Sequence, residues 1–467
     1  MALQRLNAWL RSSEAPIARL VRSLRQELAR ASARHRYGSV VASMEATVAS
    51  VPRLPPRRAT RSTAAPRRIV ALSTYPLHPA NSGGPLRGLH LASALAREAD
   101  LVVEVISTTV DPQRAGHRQL GGRLSETTVM CTGEHLERVT ALRLPSGPVS
   151  ITDIGVALMW SGLPELVDVV GESLERSTAA ILVQPYLAPA VLHLAAGLPL
   201  VADEHNDEWR LKSNLLPYSD GGRWLVEQVE QIERDAVEHS TLLTVATDAD
   251  LESLGQRCRL PEHRDVVPNG VDTTAIPFVT GELRAQNRKA LVEELALPDT
   301  PLALFVGSAH GPNIDAGRRI AAQATQAPEV TFVLVGGHSS VLGLRRLPPN
   351  VRVLGPVDDG LLQRLLAGCD VALNPMETGG GSNLKLLSYL ASGLPVVSTE
   401  LGARGVDAPQ AGIKICQVDE MAGSVWTALE EAGSHRATAG RDHVVAHHDW
   451  TAIGRHFVEL CRETVLS

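Results

Sequence analysis

Met376–Gly402 reads METGGGSNLKLLSYLASGLPVVSTELG. Just before it, Asp370–Asn374 (DVALN) is a short apolar run closed by Pro375, the pattern of a buried strand ending at a loop. Gly379, Gly380 and Gly381 let the backbone turn freely and approach a ligand closely. Ser382 or Asn383 then suits an N-cap. Leu384, Leu387, Tyr389, Leu390 and Leu394 follow at roughly helical spacing. Gly393 and Pro395 stop that helix, and Val396-Val397 opens another strand. The unit is strand, glycine loop, helix, strand.

That order implies chemistry. A glycine loop feeding a helix N-terminus presents unpaired backbone N–H groups at the positive end of the helix dipole, a place for phosphate. Lys385 falls in the first turn and adds a point charge. Only four of the 45 basic residues are lysine (Lys212, Lys289, Lys385, Lys414), so a lysine here is a specific choice. The plainer reading is a flexible surface loop with a solvated lysine.

The run resembles the C-terminal motif of GT-B glycosyltransferases, especially family 4 members with Glu-x-Gly-Gly-Gly-Ser-Asn-Leu-Lys followed by Tyr-Leu-Ala-x-Gly-Leu-Pro-Val-Val-Ser-Thr. The resemblance implies that Glu377 touches the donor sugar. It implies that Gly380, Gly381, Ser382, Asn383 and Lys385, with Gly379 in the same loop, hold the nucleotide diphosphate. One departure stands out. Many relatives carry a second glutamate that grips the ribose. Here the position eight residues after Glu377 is Lys385, and the position before the Tyr-Leu-Ala segment is Ser388.

Upstream, Leu302–Gly307 (LALFVG), Thr331–Gly337 (TFVLVGG) and Val351–Val357 (VRVLGPV) read as strands of the same domain. Phe-Val-Gly-Ser-x-His-x-Pro-Asn, from Phe305 to Asn313, is a second family likeness; it turns the loop at Gly307 and Ser308 toward the nucleotide. By the same likeness the backbone at Leu354, Gly355 and Val357 holds the base. Earlier still, Arg68–Ser73 (RIVALS), a loop ending in Gly83-Gly84, a helix and Leu101–Ile106 (LVVEVI) form a βαβ unit without a Gly-x-Gly-x-x-Gly fingerprint. The family places Gly83 and Gly84, and more weakly Arg87, at the cleft beside donor phosphate and acceptor. A solvated helix arginine is the alternative for Arg87.

Leu198–Ala202 is a strand followed by Asp203-Glu204-His205-Asn206-Asp207. The crevice of an open α/β sheet lies beyond the carboxyl ends of its strands, which makes this a candidate site. It resembles the family's Glu-His-Asn segment, implying that His205 contacts the donor sugar, with Asn206 a lesser candidate. Polar residues capping a helix are the alternative. Consecutive residues rarely converge on one ion, and no metal ligand is assigned. Trp224–His239 is an amphipathic helix and Thr241–Thr247 a strand; Pro268-Asn269-Gly270 makes a hinge-like turn. Asp111–Ser150 shows little pattern. Trp450–Leu460 suggests a closing helix, which in GT-B enzymes crosses back onto the first domain.

The predicted fold is therefore α/β: two doubly wound parallel-sheet, Rossmann-like domains facing across a cleft. Residues 68–272 form the N-terminal acceptor domain, completed by a C-terminal helix over 450–467. Residues 273–449 form the nucleotide-sugar domain. Residues 1–67 are a basic helical extension and linker: Ile17, Leu20, Val21, Leu24 and Leu28 make one apolar stripe with arginines between, and Val51–Pro66 is rich in Pro, Arg, Ser and Thr. Met1–Arg68 holds fourteen Arg against three Glu, whereas the whole chain carries −6. Such a helix suits an anionic membrane surface or the protein's own body. The acidic overall balance gives no reason to expect nucleic-acid binding. Five scattered cysteines read as free thiols in a reducing cytosol. Arg- and Ala-rich, Lys-poor usage looks like a GC-rich bacterial genome.

The function implied is transfer of a sugar from a nucleoside-diphosphate sugar to the hydroxyl of a glycan, lipid-linked or small-molecule acceptor. The resemblance adds retention of configuration, no metal and no cofactor beyond the donor; the free cysteines point to the cytoplasm, and the basic amphipathic helix allows peripheral contact at the inner membrane face through residues 1–35. A sugar-nucleotide epimerase on the same fold and a non-catalytic binding protein are the rivals.

Overall fold

The computed structural model describes residues 38–58, 66–80, 82–147, 149–342, 346–378, 384–430 and 435–467. The glycine loop residues Gly379, Gly380 and Gly381, with Ser382 and Asn383, lie outside the described residues, as does the stripe from Ile17 to Leu28.

The first sheet contains β1 (Arg67–Ser73), β2 (Leu101–Thr109), β3 (Gly116–Gly121), β4 (Leu124–Met130), β5 (Ala179–Val183), β6 (Leu200–Glu204), β7 (Leu242–Val245) and β8 (His263–Val266), in the order β3-β4-β2-β1-β5-β6-β7-β8. Every pairing is parallel except β3 with β4. Ile69 of β1 sits opposite Val103 on one side and Ala179 on the other. Ile69–Leu72 is buried on both faces, which is why it reads as a continuous apolar run and does not alternate. The second sheet contains β9 (Leu302–Val306), β10 (Thr331–Val335), β11 (Val351–Gly355), β12 (Val371–Asn374), β13 (Val396–Ser398) and β14 (Lys414–Ile415), in the order β11-β10-β9-β12-β13-β14. Its strands are all parallel.

In each sheet the chain departs from the middle strand, β1 or β9, first to one side and then to the other. The loops leaving the carboxyl ends of adjacent strands therefore diverge and open a crevice, at Tyr75–Ala80 in the first domain and at Gly307–Asn313 and Met376–Thr378 in the second. Helices α1 (Gly83–Arg97), α2 (Glu208–Leu215), α3 (Gly311–Gln323) and α4 (Leu384–Ala391) begin at those loops or beside them. This is the two-domain architecture expected from the sequence.

Two chain crossings join the domains. Val271 N–H donates to the His448 carbonyl at 2.8 Å, and Trp450 N–H to the Val271 carbonyl at 3.3 Å. The closing helix α5 (Trp450–Thr464) then packs on the first domain: Phe457 and Cys461 are buried in one apolar cluster with Ile69, Leu91 and Val103. Trp450 stacks on His90 with ring centroids 4.7 Å apart. Gly454 is required at this crossing, since a Cβ there would lie 2.7 Å from the Ala94 Cβ.

Several readings need correcting. Of the expected linker Val51–Pro66, the described residues 51–58 are packed against the first domain. Residues 38–49 are helical, and Met44 is buried among Leu142, Ile154, Trp224 and Leu225. The chain continues as a strap: the Leu54 carbonyl meets His193 Nε2 at 2.8 Å, and Arg57 N–H donates to the His193 carbonyl at 2.8 Å. Strand β6 runs two residues further than expected, so Asp203 and Glu204 lie within the sheet. Polar edge strands β3, β8 and β14 escaped notice because an exposed edge carries no apolar run. Among the described residues no single helix is long and apolar enough to cross a membrane.

Candidate functional site

A cavity of about 510 Å³ opens where the carboxyl ends of the two sheets face each other. Gly83 and Leu86 of α1 and Asn206, Leu211 and Leu215 of the first domain form one wall. Gly307, Ser308, His310, Asn313, Met376, Leu384, Lys385, Leu401 and Arg404 form the other. The walls nearly touch at Gly83, where a Cβ would sit 3.3 Å from Leu384 Cδ1. Sequence-predicted residues from both halves of the chain, Gly83, Gly307, Ser308 and Lys385, are thus brought to one space.

Lys385 is the charged centre of the second-domain wall. Helix α4 is fixed to β9 through Tyr389, whose buried hydroxyl accepts from the Val306 N–H at 2.8 Å. This places Lys385 Nζ 2.6 Å from Asn313 Oδ1, 3.5 Å from Met376 Sδ and 4.8 Å from the Phe305 ring centre. None of these partners is an anion. Burial without a counter-charge pushes its pKa down to about 7. Among the described residues no Asp or Glu lines the cavity.

The surrounding backbone is held rigidly. The Gly307 carbonyl accepts from buried His338 through Nδ1 at 2.8 Å, leaving Nε2 unpartnered. Asn313 Nδ2 donates to Ser308 Oγ at 3.1 Å. On the far side Asn374 Nδ2 donates to the Gly402 carbonyl at 2.7 Å, and Thr399 Oγ1 to the Met376 carbonyl at 2.6 Å. A Cβ at Gly402 would lie 2.2 Å from the Asn374 carbonyl oxygen, so only glycine allows the turn that presents Leu401 and Arg404 to the cavity.

Behind the first-domain wall lies a buried ionic assembly that the sequence reading missed. Arg87 is neither a solvated helix residue nor a cavity residue; it is 1% exposed. Its Nε lies 3.0 Å and its Nη2 2.5 Å from the Asp203 carboxylate, and Nη1 donates to the Val267 carbonyl at 2.6 Å. Asp203 also accepts from Thr244 Oγ1 at 2.7 Å and lies 3.1 Å from His205 Nε2. Burial alone would raise the Asp203 pKa; the Arg87 charge and the His205 and Arg87 hydrogen bonds outweigh it and hold the carboxyl well below the usual range. His205 is buried, with Nδ1 3.4 Å from the Tyr75 hydroxyl, and Asn206 reaches the cavity in its place. Gly84 backs this pair: a Cβ there would lie 2.4 Å from the Tyr75 oxygen and 3.5 Å from His205 Nδ1.

Next to it, Glu204 is fully buried with no partner on either oxygen. Desolvation and the neighbouring Glu233 and Glu208 push its pKa well up. Among the described residues no group of three or more His, Cys, Asp or Glu is arranged to hold a metal ion.

Other predicted residues lie elsewhere. Glu377 Oε2 pairs with Arg319 Nε at 3.0 Å and lines a neighbouring basic groove, not the cavity. Leu354 and Val357 pack at the edge of the second-domain core, and the Gly355 carbonyl accepts from the Gly336 N–H at 2.7 Å; none of the three lines the cavity. Ser388 lies one turn beyond Lys385 on α4, away from it.

Comparison with known proteins follows this geometry. Residues 300–431 match the family described as glycosyl transferases group 1. No curated protein matched the chain. Among solved structures, sucrose-phosphate synthase (tll1590) from Thermosynechococcus elongatus is similar, with a TM-score of 0.68 at 16% identity over 85% of this chain and 99% of that one. Anabaena Alr3699/HepE in complex with UDP and glucose gives a TM-score of 0.57 at 16% identity over 84% and 98%. The Escherichia coli trehalose-6-phosphate structure bound with UDP-2-fluoro glucose gives 0.58 at 14% identity over 84% and 98%. At these identities the likeness establishes the fold.

Proposed function

We propose that this chain, which has a GT-B-like fold and matches glycosyl transferases group 1 over residues 300–431, is a glycosyltransferase that moves a sugar from a nucleoside-diphosphate sugar to an acceptor hydroxyl held against the first domain. The observation that carries this is Lys385: among the described residues it has no carboxylate partner and none lines its cavity, and it stands in the first turn of α4. A diphosphate supplies the missing charge. Similar folds holding UDP, glucose or UDP-2-fluoro glucose make a UDP-sugar the first donor to test.

The chemical demand is stabilisation of a departing diphosphate. Lys385 and the amides at the start of α4 meet it electrostatically, without a bound ion. The leaving phosphate itself takes the acceptor proton, with retention of configuration, so the absence of a carboxylate from the cavity lining costs the reaction no base. Glu377 leaves Arg319 and orients the donor sugar when the donor enters. Asp203, by accepting the Nε2 proton of His205, fixes that ring's tautomer and leaves Nδ1 toward Tyr75 and Gly84. An epimerase needs an acid and a base flanking the sugar; of the described residues lining the cavity His310 and Lys385 could serve, and Lys385 is committed to the diphosphate.

A thermal-shift screen of the full chain against UDP, GDP, ADP, CMP and their common sugars tests this. Ligand at about 100 times its Kd stabilises the fold by about 2.7 kcal/mol. A shift with one nucleotide family identifies the donor base, and a flat response to all of them sinks the donor reading.

A further inference from the structure

Helix α2 carries charges and leucines on one face. A helix on a soluble domain buries its apolar stripe and leaves its charges in water. In α2 the two buried residues are charged: Glu208 is 1% and Lys212 7% exposed. Both are satisfied inside. Tyr186 donates to Glu208 Oε2 at 2.7 Å, Glu208 N–H donates to Glu233 Oε1 at 2.6 Å, and Lys212 pairs with Asp153. Leu211 and Leu215, each three residues on from one of these charges, share the same face by their i, i+3 and i+4 spacing and line the cavity beside them.

Leu86 of α1 joins them, so the first-domain wall of the cavity is apolar. Among the described residues on that side only Ser82 and Asn206 offer polar side chains, and the Asn206 amide already donates to Glu208 at 3.0 Å. Leu384 and Leu401 extend the apolar surface across to the second domain, next to Lys385. A sugar hydroxyl buried there would find few partners, and an unpaired buried hydroxyl is costly. An aliphatic chain would displace water from five leucines.

Resting on the glycosyl-transfer reading above, we infer that the acceptor is amphiphilic: a hydroxyl-bearing head at the Lys385 end of the cavity, continued by an alkyl or lipid-like body packed on Leu86, Leu211 and Leu215. These leucines set acceptor class and make no demand on the donor. Each methylene buried is worth about fourfold in affinity.

The test loads the full chain with the nucleotide selected by the thermal screen, then titrates n-octyl β-D-glucoside, below its micelle concentration, against glucose. The octyl glucoside is expected to bind at least about tenfold more tightly, and the Leu211→Gln/Leu215→Gln double variant to lose most of that preference. Gln keeps helix propensity, and both sites are half-exposed, so the fold is retained. Nucleotide affinity of the variant, measured in parallel, reports whether the site is still assembled. Equal binding of octyl glucoside and glucose, or full octyl preference in an assembled double variant, overturns the inference and leaves the donor reading standing. If no nucleotide binds at all, the donor reading falls, and the inference with it.

Discussion

Replacing Lys385 with Met should have opposite effects on the free protein and on donor binding, and both should depend on pH in a defined direction. In the free protein burial holds the Lys385 pKa near about 7, against 10.5 for the unperturbed side chain. A depressed folded pKa means the folded state binds fewer protons than the unfolded chain between those values. The destabilisation is therefore complete below about pH 7 and fades as pH rises toward 10.5. Lys385→Met removes it, and the free variant should gain about 1–2 kcal/mol near neutral pH, or a few degrees in Tm. Donor binding runs the other way. A diphosphate next to Nζ draws the proton back, so binding takes up as much as one proton and affinity falls by up to about tenfold per pH unit above about pH 7. Loss of a charge-assisted hydrogen bond costs about 1.5–3 kcal/mol, so the variant should bind donor about 10- to 100-fold more weakly. Calorimetric titration of a UDP-sugar in buffers of different ionisation enthalpy measures the proton uptake directly. A nucleotide sugar is preferred to UDP, because its diphosphate is doubly esterified and does not titrate in this range. Donor affinity flat from about pH 7 to about pH 9, together with unchanged affinity in Lys385→Met, would refute the placement of the phosphate at this side chain.

Two further outcomes follow from the buried charges. Arg87→Met leaves Asp203 a buried carboxylate without its cation; it should cost about 3–5 kcal/mol and lower Tm by on the order of 10 °C, and a fall of under about 2 °C in a melting curve would show that the pair is not structural. Glu204→Gln should stabilise the protein increasingly with pH. The raised folded pKa makes the native state keep a proton that the unfolded chain releases above about 4.5, so wild-type stability is lost as pH rises, by up to about 1.4 kcal/mol per unit. Equal melting differences at about pH 5 and about pH 8 would contradict an orphaned, protonated Glu204.

The basic cavity shows how a site can be half legible. Lys385, Gly83, Gly307 and Ser308 were readable because each follows a strand whose apolar run ends at a turn, and the crevice of a doubly wound sheet lies at those ends. Asn313 was visible only as part of a longer motif, and His338 and Asn374 not at all. These act through hydrogen bonds to carbonyls 31 and 28 residues away in sequence, a separation that leaves no local pattern. Helix α2 was not read from the sequence, because its inner face mixes Glu208 and Lys212 with leucines and takes its meaning from Tyr186, Glu233 and Asp153, which meet those charges inside.

The chain by itself determined the two sheets and most of their strands. A strand buried on both faces must be apolar throughout, and a glycine or proline must end it, so composition alone marks its length. It also determined which loops would carry the site. Only the tertiary structure decided what the charged residues do. Arg87 and Asp203 stand 116 residues apart and acquire their roles from a 2.5 Å contact inside the first domain. Lys385 acquires its lowered pKa from burial between two domains, with no carboxylate among the described residues lining the space. Local patterning records whether a side chain is apolar; it does not record which partner waits for a polar one, because that partner arrives from elsewhere in the chain.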